Sequence, residues 1–320
     1  MLRGTVPHAL LFTGTAGIGK RTTAHQFTMA CNCKSQNRAS GDGNKLQPED
    51  LKALACGQCR SCRKIEAGSH PDVLTVRPSG QLIRIDQIRE LGHALSMKPF
   101  EAKHRVVIIA DAQRMNPSAG NALLKMLEEP PDRTILILVA TRRSDLLPTI
   151  VSRCQHLRFN PIPQAALTDL LIQKKGIDRK TAESLAMLAG GSFTRAVDLM
   201  KKGWINRRKW LIRALESLPD QSAVLQLALV SEILKDKDLL SDSLEIMETW
   251  FRDVTVAQFD PKKLINGDLT ERILSASQQI SAKTALDKLQ AIHVAQRRLR
   301  SNANSRLTME ALIMKLARVS

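Results

Sequence analysis

Residues 8–22 have the sequence HALLFTGTAGIGKRT, and this stretch decides the fold. It starts with an apolar run typical of a buried strand and continues with glycines in the spacing G-x-x-x-x-G-K. The candidate phosphate-binding residues are Gly14, Gly17, Gly19 and Lys20. Between a strand and a helix, glycine N–H groups can surround a phosphate while the lysine approaches its charge. The stretch therefore predicts a P-loop that opens an α/β domain.

Further short runs of apolar or β-branched residues follow before residue 160: DVLTVRP (72–78), RVVIIAD (105–111), TILILVA (134–140) and QHLRF (155–159). Helical patterns separate them, one over residues 86–95 and one from Pro117 to the Pro130-Pro131 pair. Strands that alternate with helices and are apolar on both faces predict a parallel α/β sheet. We assign residues 1–162 to this domain, with a polar insert at 31–65.

The sequence after residue 162 predicts helices alone. Residues 163–203 contain compact helical patterns ending at glycines, and Ser192 is placed to cap the third. From Trp204 onward, apolar stripes at helical spacing predict a bundle: Leu240, Leu244, Met247 and Phe251, then Leu286, Leu289, Ile292 and Leu299. We therefore expect a small helical domain at 163–203 and an all-helical domain at 204–320.

The charge of the chain is strongly positive, with 48 Lys and Arg against 31 Asp and Glu, formally +17. Such an excess favours a polyanionic partner, most often nucleic acid. Aromatic residues are few, so phosphate contacts are expected rather than base stacking. No run approaches the roughly 20 apolar residues of a membrane span, and the N-terminal apolar patch is shorter than a signal peptide's. The sequence thus predicts a cytoplasmic, non-membrane protein.

The insert carries a cysteine pattern that predicts zinc. Cys56, Cys59 and Cys62 have the spacing C-x2-C-x2-C, which lets neighbouring thiolates reach one metal. In a reducing cytoplasm, clustered cysteines favour a metal over disulfides, and a cluster without metal and a redox dithiol are the weaker alternatives.

Candidates for the fourth ligand are Cys33, Cys31 and His70. Helix counting favours Cys33, because Cys31 lies among apolar neighbours as a core thiol does. The loop-like segment 34–55 cannot bury a core, so zinc would fold it, contributing on the order of 10 kcal/mol.

The predicted nucleotide site lacks groups that hydrolysis needs. A P-loop carries Ser or Thr after its lysine to hold magnesium, and here that residue is Arg21. Asp111, at the end of the run 105–111, could orient magnesium, but Ala112 follows where ATP-hydrolysing proteins of this type carry glutamate. We expect no hydrolysis, and ATP binding itself is doubtful.

The segments PHALLFTGTAGIGK (7–20), NALLKMLEEPP (121–131), TILILVATRRSDLLPTIVSRC (134–154) and NANSRLTMEAL (302–312) together resemble bacterial clamp-loader AAA+ subunits. The resemblance implies a RecA-like domain, a helical lid and a helical collar that joins five subunits into a partial ring. Its partners would be tau/gamma motor subunits and a delta subunit. The ring uses ATP to open a sliding clamp and place it on primed DNA.

The same resemblance assigns individual residues. The family's first zinc cysteine falls at Cys33, and a His-Pro-Asp run like that of His70 has a structural role. The SRC motif makes Arg153 an arginine finger that points into a neighbour's ATP site. A lid arginine that senses the γ-phosphate would stand at Thr194, with Arg195 one place later. The family also has a short segment before PHALLF that helps to hold adenine, and this chain starts without it, which further weakens ATP binding.

Three functions are compared on these residues. A non-hydrolysing clamp-loader subunit fits an incomplete ATP site with an intact SRC motif. A tau/gamma-type motor ATPase would need Ser or Thr at 21, Glu at 112 and Arg at 194, and this chain has none of them. A zinc-dependent DNA-binding regulator agrees with the charge but not with the AAA+ motifs. The sequence therefore favours the first.

Overall fold

A computed structural model describes residues 7–35, 55–235 and 237–318. The chain forms two compact units, Met1–Pro161 and Ile162–Ser320. The predicted loop-like segment 34–55 lies mostly outside the described residues. Within the described residues, no helix is both long and apolar enough to cross a membrane.

The first unit is built on a five-stranded sheet in the order β2-β3-β4-β1-β5. Every pairing between neighbouring strands is parallel. The strands are β1 (Ala9–Thr13), β2 (Val73–Val76), β3 (Arg105–Ile109), β4 (Thr134–Ala140) and β5 (Gln155–Arg158). Each lies within a run that the sequence singled out, so the predicted parallel α/β fold is confirmed.

Helices cover both faces of this sheet. They are α1 (Lys20–Asn32), α2 (Arg60–Glu66), α3 (Ile85–Ser96), α4 (Pro117–Glu128) and α5 (Pro148–Val151). Successive strand residues point to opposite faces. On β1, for example, Leu11 joins a core with α3, α4 and α5, whereas Leu10 and Phe12 join a core with α1. Burial on both faces explains why the inner strands β1, β3 and β4 are mostly apolar, whereas the edge strand β5 is exposed at all four residues.

The carboxyl ends of β1 and β3 place the P-loop and Asp111 at the same edge of the sheet. Gly14 leaves β1 with φ of 145°, and a Cβ there would lie 2.5 Å from the Phe159 carbonyl oxygen. A side chain at this position would therefore force the backbone apart. In open α/β sheets, ligands bind outside the carboxyl ends of the strands.

A buried carboxylate fixes the loop before β3. Both oxygens of Asp72 accept backbone N–H bonds, each 2.8 Å long, from Phe100, Glu101 and Ala102. Burial raises the pKa of Asp72, but these N–H groups and Arg105 outweigh it, so the pKa lies below its ordinary value. A lowered carboxyl pKa stabilises the fold above the ordinary pKa of about 3.9, and this stabilisation is lost as pH falls through the lowered pKa.

We expect Asp72→Asn to lower the free energy of unfolding of the first unit by about 2 kcal/mol at neutral pH, because asparagine keeps only one acceptor oxygen and turns an NH2 group, which cannot accept, toward at least one of these N–H groups. The deficit should narrow in acid, where wild-type Asp72 also becomes protonated. Urea denaturation of both proteins across the acid range measures the difference. Asp86→Asn is the matched control, since the Asp86 side chain is 75% exposed. An equal loss in both variants would contradict the account.

The second unit is helical throughout its described residues. Its helices are α6 (Gln164–Lys175), α7 (Arg179–Leu188), α8 (Phe193–Lys201), α9 (Trp204–Ser217), α10 (Ala223–Ile233), α11 (Lys237–Ala257), α12 (Thr270–Gln279), α13 (Ala282–Arg300) and α14 (Ser305–Ala317). Gly176 ends α6 in the left-handed conformation, and the Ser192 side chain caps α8, as predicted. One apolar core runs from α6 to α14. The boundary between a lid and a collar at 203/204 stays a prediction.

The apolar stripe predicted for α11 is confirmed, since Leu240, Leu244, Met247 and Phe251 all pack in this core. The stripe predicted for α13 is partly wrong, because the Leu286 residue is 51% exposed. The inner face of α13 instead carries Ala285 and Lys288, and Leu286 lies about 100° around the helix from Ala285. The buried Lys288 ammonium donates to the Leu316 carbonyl over 2.7 Å. The hydrophobic pattern predicts the wrong face of α13 because a lysine, which the pattern counts as a surface residue, occupies a core position.

Candidate nucleotide, arginine and cysteine sites

The P-loop lysine is bound to its own loop. Lys20 is buried, and its Nζ donates to the carbonyl oxygens of Gly14 and, over 2.6 Å, Thr15. Burial lowers the pKa of Lys20, and the nearby Asp111 carboxylate raises it by a smaller amount. Gly17 and Gly19 have φ of 77° and 95°, as a tight loop requires. The predicted residues thus form a compact P-loop whose lysine has internal partners.

Arg21 and Ala112 replace the residues that nucleotide hydrolysis would need. Arg21 lies beside the P-loop and Ala112 follows β3, as the sequence predicted. Arg21 and Thr22 lie in the first turn of α1, both exposed. Ala112 is 1% exposed and supplies only a methyl group. Asp111 adopts φ of 55°, an uncommon conformation for a residue other than glycine. Position 21 therefore offers no hydroxyl for magnesium and position 112 no carboxylate for water.

Four cysteines converge at the junction of α1 and α2. The Sγ atoms of Cys33, Cys56, Cys59 and Cys62 all lie within 4.8 Å of one another. Zn–S bonds of about 2.3 Å at tetrahedral angles would place sulfurs about 3.8 Å apart, so the cluster matches a four-thiolate site. Cys33 follows the last residue of α1, and Cys59 caps α2, which includes Cys62. The cluster can hold a metal ion such as zinc.

Backbone N–H groups support the cluster. The N–H of Cys59 donates to Sγ of Cys56 over 3.2 Å, and that of Cys62 to Sγ of Cys59 over 3.5 Å. The first of these bonds is the main cause that lowers the pKa of the Cys56 thiol to about 6. Burial raises the pKa of Cys62, the innermost of the four, to about 12. Donated N–H bonds of this kind stabilise thiolates, the form that binds a metal.

The two rival ligands lie in other surroundings. Cys31 packs against the core beneath α1, and burial raises the pKa of its thiol to about 11. His70 is buried, and its Nδ1 accepts the backbone N–H of Asp72 over 3.2 Å. Neither belongs to the metal-compatible cluster found among the described residues. The geometry agrees with Cys33 as the fourth ligand.

Arg153 lies on the surface after α5. Its guanidinium pairs with Glu128, the last residue of α4, at 2.6 Å, and it donates to the Thr149 carbonyl over 3.0 Å. The Arg153 side chain remains 37% exposed. Cys154, next in the SRC motif, is buried, and burial raises its thiol pKa to about 11. In the SRC motif, Cys154 therefore lies in the core and Arg153 lies at the surface.

Arg195, one place after the position expected for a sensing arginine, has an ion-pair partner in the second unit. Arg195, in the first turn of α8, forms an ion pair with Glu245 of α11. Lys202 and Arg207 both pair with Asp242 on the same helix. Thr194 occupies the position that the resemblance assigns to the sensing arginine. Within the second unit, the Arg195 guanidinium is therefore paired with the Glu245 carboxylate.

Comparison with known proteins places the chain in a family. The family described as "DNA polymerase III, delta subunit" matches residues 1–163, and its C-terminal counterpart matches residues 202–318. DNA polymerase III subunit delta' of Bacillus subtilis is 30% identical over 314 residues, which cover 97% of this chain and 90% of that protein. The chain belongs to the delta-prime family of DNA polymerase III subunits. The delta' subunit of Pseudomonas aeruginosa is 34% identical over 67% of the chain and 62% of its own length.

Other similarities accompany this delta-prime assignment. A tau subunit of DNA polymerase III from Bacillus subtilis is 25% identical over the whole chain and 59% of its own length. Among solved structures, a gamma subunit-related protein from Thermotoga maritima has a TM-score of 0.48 and 19% identity, covering 99% of this chain and 96% of that protein.

Two features of this delta-prime site were not assigned from sequence. Glu128, the first glutamate of the LEEPP segment, pairs with Arg153, although 25 positions separate them. The adjacent Glu129 has the same charge, so the sequence alone does not tell which of the two glutamates pairs with Arg153. The geometry at the end of α4 decides it. The internal bonds of Lys20 to loop carbonyls depend on the loop conformation, for which the sequence has no signal.

Proposed function

We propose that this chain is a non-hydrolysing clamp-loader subunit of the DNA polymerase III holoenzyme that supplies Arg153 to the ATP site of a neighbouring subunit. The observation that carries the proposal is the contrast between its two candidate sites. Arg21 and Ala112 replace the groups that hold magnesium and activate water, whereas Arg153 is presented at the surface. Such a chain acts on ATP only inside an assembly.

We further propose that the four-cysteine cluster holds one zinc ion in a structural role. Cys33, Cys56, Cys59 and Cys62 would supply all four ligands, which leaves no open position for catalysis. Bound zinc supplies free energy that fixes the junction of α1 and α2. Met29 and Ile65 form a small apolar cluster with Cys62, and Cys33 and Cys59 pack against it.

Exposed apolar residues in the second unit support subunit contacts. On α10, Val224 and Leu225 are 75% and 54% exposed, and on α14, which packs beside it, Leu307 and Met314 are 65% and 46% exposed. Large contiguous apolar patches mark protein interaction sites, and the proposal takes these four residues to contribute to one. Under the proposal, this surface belongs to a collar that joins tau/gamma and delta subunits in a hetero-pentamer, which loads a sliding clamp on primed DNA in the cytoplasm. The net charge of +17 suits the DNA.

The isolated chain is expected to show no ATP turnover above background, with or without DNA. A tau/gamma-type motor, which the similarity to a tau subunit keeps as the second candidate, would turn ATP over. Steady-state phosphate release from the purified chain measures the difference. Lys20→Ala is the control, because turnover that survives it comes from a contaminant. Turnover abolished by Lys20→Ala would overturn the proposal and favour the motor.

A further inference from the structure

The contacts of Arg153 fix its guanidinium on one side. Glu128 lies at the C-terminal end of α4, and its Oε1 is 2.6 Å from Nη2 of Arg153. On the other side, Nη1 donates to the Thr149 carbonyl over 3.0 Å and to the Ser152 hydroxyl over 3.4 Å. These partners come from two helical segments. The Arg153 side chain is 37% exposed, so it is held by these partners while part of it remains accessible.

A catalytic arginine needs this kind of support. A free arginine side chain carries about 2 kcal/mol of rotamer entropy, which it loses when it is fixed against a phosphate. A carboxylate that holds the guanidinium beforehand removes part of that cost, because the group is already in one orientation. The pair is half-exposed, so its contribution to folding is small.

We propose that Glu128 is a positioning residue for Arg153. It orients the guanidinium from within this chain, so that the arginine reaches the γ-phosphate in the neighbour's ATP site already aligned. This inference rests on the proposed function, since it concerns the same arginine. It adds a second residue of this chain to a reaction that takes place on another subunit.

The test uses the complete clamp-loader assembly, with ATP turnover measured in the presence of clamp and primed DNA. Glu128→Ala should lower kcat about tenfold at the adjacent site, within the roughly hundredfold that misplacing a catalytic group can cost, and should leave KM for ATP nearly unchanged. Glu128→Gln should recover part of the loss, because its amide oxygen still accepts an N–H bond. The double variant Glu128→Ala/Arg153→Ala should be no slower than Arg153→Ala alone.

Glu129→Ala is the matched control. Glu129 is the next residue, is exposed, and forms no ion pair within the described part of the chain. It should behave as wild type, and all variants should assemble and melt as wild type does. If Arg153→Ala slows the assembly but Glu128→Ala does not, the positioning role is wrong and the proposed function stands. If Glu128→Ala speeds turnover, Glu128 restrains the arginine and the inference is overturned. If Arg153→Ala has no effect, the proposed function itself fails.

Discussion

Cys59→Ser is expected to release the metal and to loosen the junction of α1 and α2. Four thiolates complete a tetrahedral zinc site, and serine is a poor substitute ligand at neutral pH. Zinc binding to such sites contributes on the order of 10 kcal/mol, far more than a single packing contact. Elemental analysis should find about one zinc per wild-type chain purified without added metal, and much less in the variant. Proteolysis should then cut residues 31–65 first.

Cys31→Ser provides the control for this experiment. Its thiol packs in the core beneath α1 and lies outside the cluster, so the variant should lose some stability but keep its zinc. The second unit should retain its helical circular dichroism in both variants, because its core contains none of these cysteines. Wild-type protein without metal, or a Cys59→Ser variant that keeps a full equivalent, would contradict the assignment.

The parts of this structure that follow local rules could be predicted from sequence. The buried strands β1, β3 and β4 are short, apolar and bounded by turn residues, so their length and flanking residues indicate strands rather than helices. The cysteine cluster was predictable because C-x2-C-x2-C spacing limits the geometry and leaves few candidates for a fourth ligand. The P-loop was predictable because its glycines must adopt left-handed backbone conformations.

The parts that depend on packing between distant segments could not be predicted. The inner face of α13 includes Lys288, whose ammonium finds a carbonyl partner on α14, and no periodicity in the sequence reveals that partner. The pairing of Glu128 with Arg153 depends on how α4 ends beside the segment after α5. The bonds of Lys20 to its own loop likewise need three-dimensional coordinates.

Arg153→Ala is expected to slow ATP hydrolysis by a neighbouring subunit while this chain keeps its own fold. The arginine is on the surface, so its loss should change the free energy of unfolding by less than about 1 kcal/mol. A finger that is the sole charge stabiliser contributes about 10³–10⁵ in rate at its own site. The loss for the whole assembly should be smaller, because the other sites keep their own arginines. Clamp- and DNA-stimulated turnover of the reconstituted assembly measures it.

Arg153→Lys tests the chemistry of the group. Lysine keeps the charge but lacks the planar fork that reaches two oxygens at once, so it should rescue poorly. Full rescue would mean that charge alone matters at this position. Subunit composition after gel filtration must match wild type in both variants, because a change in assembly would lower turnover for an unrelated reason.

The most direct measurement compares two variants of this chain in the same assembly. The nucleotide site of this chain is expected to be silent, and its Arg153 is expected to act on the neighbouring subunit. Lys20→Ala should therefore leave clamp- and DNA-stimulated ATP turnover at the wild-type rate, and Arg153→Ala should lower it. The opposite pattern, with turnover lost in Lys20→Ala and kept in Arg153→Ala, would contradict the claim at both sites.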